Sequence, residues 1–431
     1  MGDPKGARFP VDLCKGARHF AVFSVFNHAN CQKDPVMPDD AAASFDRSGL
    51  DHQISWIARL VAHRTVSSES NLPLIDDVEA YLREHGARCV RVLNDEGTKA
   101  NLYAVIGPSV PGGVVLSGHT DVVPITGQDW LSDPWTLEEK EGRLYGRGTC
   151  DMKAFSAIAL SLVPEMVAAG LNKPIIFALS YDEEIGCLGA PRMIEQIVED
   201  VPAPSAVIVG EPTMMKVVDG HKGIASFRTT VTGFTTHSSQ TDRGVSAVEA
   251  AAKLIAKIAD MREWRAQKAD VDCPFYPPYS TMTVNVVEGG TQLNIMAREC
   301  QFDWDCRVIP GETADAICAE FQEFADGLQA EMRAKASVCA ISTEQLTNAP
   351  ALAPRADNPA ADLAKAITGL NSTEVVSYAA EAGQFQGAGF ATVICGPGSI
   401  DQAHQANEFI SIEQVAAGKR FIRKLIARLS R

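Results

Sequence analysis

Histidines and carboxylates in this 431-residue sequence recur at one kind of place, just past a short apolar run. His119 and Asp121 follow the run at 114–116, Glu183 and Glu184 the run at 175–179, and Glu211 the run at 206–209, while His404 lies in the loop after 391–395. Asp151 stands near the start of a helix expected over 154–169. Neutral imidazole and carboxylate oxygen make a suitable donor set for zinc, and the same ligands suit cobalt. The set is more than one tetrahedral ion can use while keeping a position open, so two metals sharing a bridging carboxylate fit the count. A pair of ions ~3.5–4 Å apart acidifies a water while polarising a substrate oxygen. One carboxylate must then stay off the metals to move protons, and adjacent Glu183 and Glu184 offer one for each task. Asp121, two residues past His119, is placed to accept the other ring N–H of that imidazole and fix its tautomer. Singly, each residue has a plainer reading: a solvated turn for His119, a helix first turn for Glu183–Glu184, an N-cap for Asp151, a surface or core histidine for His404. Those readings do not predict that all of them fall at corresponding element ends.

The elements needed to gather these residues are legible in the apolar pattern. Short continuous apolar runs separated by helical stretches mark buried parallel strands of an α/β sheet, and ligands bind at the carboxyl edge of such sheets. Two helices precede them, with Ile54, Ile57, Leu60 and Val61 on one face and Ile75, Val78, Tyr81 and Leu82 on the next. The middle of the chain changes character. A strand over 223–232 alternates and a long helix spans 245–266. Strands at 281–287 and 299–308 flank a turn at 288–290, then a helix at 313–335 and a strand at 338–341 complete β-α-β-β-α-β, the ferredoxin-like order. The expected fold is therefore a discontinuous α/β catalytic domain, residues 49–222 and 342–431, with an α+β domain inserted at 223–341. Residues 1–48 read as an N-terminal extension of uncertain order, in which Met37 is an alternative start.

Fifty-four acidic against 39 basic residues give a net charge of −15, which disfavours nucleic acid and anionic membranes and points to a small-molecule partner. The 46% hydrophobic and 22% charged content is that of a globular chain. No apolar run approaches a membrane span, and the stretch at 20–26 is short for a signal peptide. Eleven cysteines without a Cys-x-x-Cys pair argue for reduced thiols and a cytoplasmic location.

The stretches Ser117-Gly118-His119-Thr120-Asp121, Gly146-Arg147-Gly148-Thr149-Cys150-Asp151-Met152-Lys153, Asp182-Glu183-Glu184, Gly210-Glu211-Pro212-Thr213 and His237-Ser238-Ser239 resemble the co-catalytic zinc aminoacylase and carboxypeptidase family. The resemblance runs from about residue 52 to the C-terminus. It implies a zinc-exopeptidase-like catalytic domain with an inserted lid and dimerisation domain, a homodimer, and two zinc ions bridged by Asp151. His119 and Glu211 would complete one ion, Glu184 and His404 the other, with Glu183 as general base. His237 resembles the histidine that stabilises the oxyanion, in relatives sometimes from across the dimer. Arg307 is the candidate for the substrate α-carboxylate, with Asn294 matching a companion asparagine. Gly396 and Gly398 offer backbone N–H groups to that carboxylate, and Glu381 is a candidate partner for a substrate ammonium. The segments Glu381-Ala382-Gly383 and Gly396-Pro397-Gly398-Ser399-Ile400-Asp401-Gln402-Ala403-His404-Gln405-Ala406-Asn407-Glu408 resemble the acetylornithine-deacetylating branch, which implies release of acetate from an N-acetyl amino acid in arginine biosynthesis. Desuccinylation of succinyl-diaminopimelate, or broader N-acyl-amino-acid or dipeptide hydrolysis, is the alternative. Ala154 departs from the glycine usual after Asp-Met-Lys. A catalytically silent binding protein would be marked by a missing base or ligand, and none is missing.

Overall fold

The computed structural model describes residue 47 and residues 49–431, so the reading of 1–48 as an extension falls, but for residue 47, outside the described residues. The two expected helices, α1 (Asp51–Ala62) and α2 (Leu72–Glu84), each bury one face, with Ile57 and Leu60 on the first and Ile75 and Val78 on the second. There follow β1 (Arg88–Leu93), β2 (Ala100–Ile106), β3 (Val114–His119) and the short β4 (Glu138–Lys140) and β5 (Arg143–Tyr145). Next come α3 (Lys153–Ser161), α4 (Val163–Ala168), β6 (Ile175–Ser180), α5 (Ala190–Asp200), β7 (Ala206–Pro212) and β8 (Val218–His221). The single helix expected over 154–169 is two, α3 and α4. Pro164 has no N–H to continue the ladder, so the helix restarts with proline in its first turn.

The inserted elements are β9 (Gly223–Thr232), α6 (Ala247–Gln267), β10 (Thr281–Gly289), β11 (Glu299–Val308), α7 (Ala314–Lys335) and β12 (Ala340–Ala349). The chain then returns with α8 (Pro359–Thr368), β13 (Glu374–Val376), α9 (Ala382–Gly387), β14 (Thr392–Gly396), β15 (Phe409–Ser411) and α10 (Ile412–Leu429).

The main sheet runs β1-β2-β6-β3-β7-β14-β8-β13. Its centre, β6-β3-β7-β14, is parallel, while β1 and β2 add on antiparallel. β3, β6, β7 and β14 are buried along their whole length, which is why they read as unbroken apolar runs. Helices cover both faces: α1, α2, α3 and α10 pack with Leu116 and Phe177 on one, α5 and α9 with Val115 and Ile176 on the other. This layering sends the sheet's carboxyl edge toward a single rim.

The inserted domain has its own antiparallel sheet, β10-β11-β9-β12, and its own core. β9 and β11 alternate, and Phe227 and Trp304 stack at 4.3 Å between ring centres beneath Phe321 of α7. Ser246 and Thr313 cap α6 and α7 by accepting the N–H of Glu249 and Ala316. Two strands outrun their expected ends. β10 continues to Gly289, through the expected turn, and β12 continues past Ile341 to Ala349. Both lie at the edges of their sheet and expose most of these residues, so pairing rather than an apolar signal keeps them extended. A boundary at 341 would cut β12, whose pairing with β9 favours one after Ala349. The described cysteines are free, and no helix among the described residues is long and apolar enough to cross a membrane.

Candidate active site

At the carboxyl edge of the main sheet, β3 ends on His119 and β7 on Glu211-Pro212, while the loops after β6 and β14 carry Glu183–Glu184 and His404. The loop before α3 brings in Asp151. Its side chain caps no helix; one oxygen, Oδ1, lies 3.0 Å from His119 Nε2 and the other, Oδ2, 3.2 Å from His404 Nε2. His119 Nε2 is also 3.7 Å from Glu211 Oε1, and His404 Nε2 is 2.9 Å from Glu184 Oε2. Two donor sets result, His119–Asp151–Glu211 and Asp151–Glu184–His404, each with its ligand-type atoms within 4.8 Å of one another. Asp151 belongs to both.

The chemistry of these sets fits two divalent cations. Glu211 Oε1 is buried without a hydrogen-bond partner, an arrangement that costs free energy unless something positive completes it. Burial, then the charge of Asp151, pushes Glu184 up to about 7. Burial chiefly raises Glu211 and Glu183 well above the usual carboxylate range. Hydrogen bonds to Asp151 and Glu184 push His404 up to about 10. Carboxylates raised by burial and by one another, beside an imidazole raised by its acidic neighbours, mark a buried concentration of negative charge that a cation would relieve. The described residues therefore supply imidazole nitrogen and carboxylate oxygen, the donors that zinc and related ions take.

The residue expected to orient His119 works differently. His119 Nδ1 lies 2.9 Å from the main-chain carbonyl of Asp121, whereas the Asp121 carboxylate is 3.6 Å away. That carboxylate accepts instead from Ser67 Oγ at 2.7 Å and from the N–H groups of Glu183 and Glu184 at 3.2 and 3.3 Å. The short Asp121 side chain reaches across to the β6 loop because β3 and β6 are paired neighbours. Its main work is to hold the loop carrying Glu183 and Glu184, and its backbone fixes the imidazole. Glu183 Oε1 in turn accepts from Cys187 Sγ at 3.3 Å.

Beside the donor sets lies a cavity of about 350 Å³, lined by Asp151, Glu183, Glu184, Glu211 and His404 on one side and by Ile224, Arg307, Tyr378 and Ile400 on the other. Arg307, on the inserted domain, faces this space, its Nε 3.3 Å from Asp305 Oδ2. The other expected substrate contacts are elsewhere. Gly396 donates its N–H to Thr213 Oγ1 at 3.2 Å, and a Cβ there would lie 1.9 Å from the Gly210 carbonyl oxygen. It is glycine because β14 and β7 touch at that point. Gly398 likewise donates to Gln414 Oε1 at 3.2 Å, so neither N–H is free for a carboxylate. Glu381 is 1% exposed and does not line the cavity. It faces Ser117 Oγ at 3.4 Å, and burial pushes it up to about 7, a poor partner for an ammonium. Asn294 accompanies His237 rather than Arg307: Ser238 N–H donates to its carbonyl at 3.0 Å and His237 bridges to Ile295. His237 itself is exposed, with Nδ1 2.8 Å from Ser239 Oγ, and does not line the cavity of its own chain.

Tyr378 and Cys187 line the cavity without any prior signal in the sequence. A tyrosine in a loop between β13 and α9 carries no periodicity, and only its place three residues before Glu381 hints at the rim. Burial, reinforced by the charges of Glu211 and Asp151, raises the Tyr378 phenol so that it keeps its proton.

The family described as Peptidase family M20/M25/M40 matches residues 115–428. An acetylornithine deacetylase of Myxococcus xanthus is 33% identical over 377 residues, 86% of this chain and 96% of that protein. One from Pasteurella multocida is 32% identical over 382 residues, 86% of this chain and 97% of the relative. Among solved structures, the M20 family metallo-carboxypeptidase Sso-CP2 of Sulfolobus solfataricus superposes with a TM-score of 0.69 at 16% identity, covering 88% of this chain and 99% of that one. Bacillus subtilis YXEP, a dinuclear metal-binding peptidase of the M20 family, superposes with a TM-score of 0.58 at 15% identity over 88% and 97% of the two chains. The doubly shared Asp151, the fold and these matches lead to one conclusion: the chain belongs to peptidase family M20/M25/M40 and is a metallohydrolase acting on amides.

Proposed function

We propose that the protein deacetylates N2-acetyl-L-ornithine to L-ornithine and acetate, as a step of arginine biosynthesis in the cytoplasm. His119, Asp151 and Glu211 would hold one zinc ion and Asp151, Glu184 and His404 the other, and cobalt would suit the same donors. The observation that carries the chemistry is Asp151, with one oxygen turned to each donor set. The substrate choice leans on relatives that are acetylornithine deacetylases over most of their length.

When bound, the two ions supply an acidified water and a polarised acyl carbonyl. Glu183, beside the donor sets and free of them, takes the proton of the attacking water. The water oxygen bonds to the acyl carbon first; Glu183 then returns the proton to the departing α-amine as the C–N bond breaks, which releases acetate and restores the base. Arg307 pairs its planar guanidinium with the substrate α-carboxylate across the cavity. Tyr378, kept protonated, offers a hydrogen bond toward the reacting carbonyl. His237 and Asn294 serve the oxyanion and the substrate from a second copy of the chain. Exposed Phe234, Leu293 and Ile295 surround them on the inserted domain, and in a homodimer these apolar side chains would be covered.

Steady-state hydrolysis of N-acetyl-ornithine beside N-succinyl-diaminopimelate, on chelator-stripped protein with zinc or cobalt added back, tests the reading. The expected result is metal-restored activity with the acetyl substrate strongly preferred. Preference for the succinyl substrate would move the assignment to the sister desuccinylase. Metal binding without turnover of either would remove the substrate reading and keep the site. Sedimentation showing only monomer at working concentration would remove the homodimer.

A further inference from the structure

We propose that Glu408, through Arg147 and Gln128, is the positioning residue that holds Asp151 at the junction of the two donor sets and ties the Asp151 loop to the His404 loop. The inference rests on the two-metal reading above. Glu408 is 1% exposed, and every hydrogen bond it makes is one it accepts. Its Oε1 takes the backbone N–H groups of Cys150 at 2.7 Å and Asp151 at 3.0 Å; its Oε2 takes the Gly148 N–H at 2.9 Å and Arg147 Nη1 at 2.8 Å. Gly148, at φ +82 with a Cβ position 2.9 Å from Val122 and Lys153 side-chain atoms, is what lets the loop turn its N–H inward. Arg147, also 1% exposed, passes the connection on by donating Nη2 to Gln128 Oε1, and Gln128 Nε2 donates to the His404 carbonyl at 2.8 Å. A continuous chain of hydrogen bonds thus runs from the backbone of one metal donor to the backbone of another.

A buried Arg–Glu pair is a poor way to gain stability, since desolvation of both charges offsets most of their attraction. What the pair does supply is geometry. With its backbone N–H fixed, Asp151 can present Oδ1 to one donor set and Oδ2 to the other. Glutamine cannot replace Glu408, because its carboxamide nitrogen would confront two donors at whichever oxygen it displaced.

The test is a Co2+ titration of the metal-stripped full-length protein by visible absorption and calorimetry, in the wild type, Glu408→Gln, the double variant Arg147→Met/Glu408→Met, which leaves no acceptor at position 408, and Gln128→Ala. Glu408→Gln is expected to bind Co2+ roughly 10–100-fold more weakly, the usual cost of losing a group that orients a ligand. It should also melt at lower temperature, because Arg147 is left buried and unpaired. The double variant is expected to regain the part of the melting temperature lost to the unpaired guanidinium without regaining the affinity. Gln128→Ala, with the ion pair intact, should weaken the second Co2+ more than the first. Wild-type affinity in Glu408→Gln would overturn the proposal. So would a double variant that recovers affinity together with stability, since Glu408 would then be only the counter-ion of Arg147. Should Glu408→Gln not fold, the double variant and Gln128→Ala decide alone. A wild-type protein that binds fewer than two Co2+ would take down the site reading, and this inference with it, whereas the variants are scored against a wild type that binds both.

Discussion

The two sides of the cavity are built on opposite terms. The donor side stands on β3, β6, β7 and β14, buried along their length, and its His119, Asp151 and Glu211 are nearly inaccessible. The facing side contributes Arg307 from a strand of the inserted domain with half its residues partly open, and Tyr378 from a loop. The side that handles charge needs low dielectric and fixed distances, because electrostatic interactions strengthen and reorganisation shrinks when water is excluded. If the facing side selects the substrate, as proposed, it must admit and release it, and an inserted domain with its own core suits that task. Substitutions on the two sides should therefore fail in different kinetic parameters.

The largest effect is expected at Glu183. Glu183→Gln keeps the size of the side chain and removes the proton carrier, so kcat should fall roughly 10²–10⁴-fold with two metals retained and KM little changed. Metal content by atomic absorption beside steady-state kinetics checks this; near-wild-type turnover would take Glu183 out of the base role. A smaller loss, roughly 10²–10³-fold in kcat, is expected for His237→Ala if it donates to the oxyanion. Mixing that variant with Glu183→Gln sharpens the comparison. If His237 serves the neighbouring copy, a mixed dimer contains one site with both residues, and activity returns on subunit exchange. If it serves its own chain, no site in the mixture is complete and none returns.

Arg307→Met is expected to act mainly on KM. Loss of hydrogen bonds between charged partners costs about 1.5–3 kcal/mol, roughly ten- to a hundredfold in kcat/KM. Metal content should not change, and the defect should shrink for an amide substrate that lacks the α-carboxylate. An equal defect on that substrate would show that Arg307 shapes the cavity and does not pair with a carboxylate.

The same contrast governs what could be read beforehand. The donor side is legible because a strand buried on both faces has to be an unbroken apolar run, and a polar residue that ends such a run has to sit on the sheet's edge. His119 and Glu211 are found by that argument, Glu183, Glu184 and His404 by its extension to the loops after such runs, and Asp151 by its place near the start of a helix. The break between α3 and α4 is also written in the chain, in Pro164, but a strong apolar period on both sides obscures it. The facing side resists the same reading. β12 continues through polar residues because β9 offers a partner, and partners are not written locally. Glu381 looks like an accessible turn residue and is buried, because α9 packs against the main sheet beneath the cavity. Whether His237 and Asn294 act in their own chain or another depends on an assembly, which no single sequence encodes in its spacing. Asp121 falls between: its type and place are plain, but a backbone carbonyl two residues from a histidine competes with the carboxylate for the same ring N–H, and only geometry decides.

The smallest expected effect on catalysis, and the one that tests the boundary between the two sides, is at Gly396. As a substrate contact it would give a KM defect when altered. The structure makes it instead a packing point of the donor side, where a Cβ would meet the Gly210 carbonyl oxygen at 1.9 Å and the Glu211 carbonyl oxygen at 2.5 Å. Neither neighbour is a flexible side chain, so β14 or β7 has to shift. Gly396→Ala should therefore lose stability, about 1–3 kcal/mol by the usual cost of overpacking, seen as a lowered denaturation midpoint. Because β7 carries Glu211, the strain should also appear as weaker metal binding at the His119–Asp151–Glu211 set before it appears in KM. A variant of unchanged stability with a raised KM would return Gly396 to the substrate side and blur the division drawn between the two walls of the cavity.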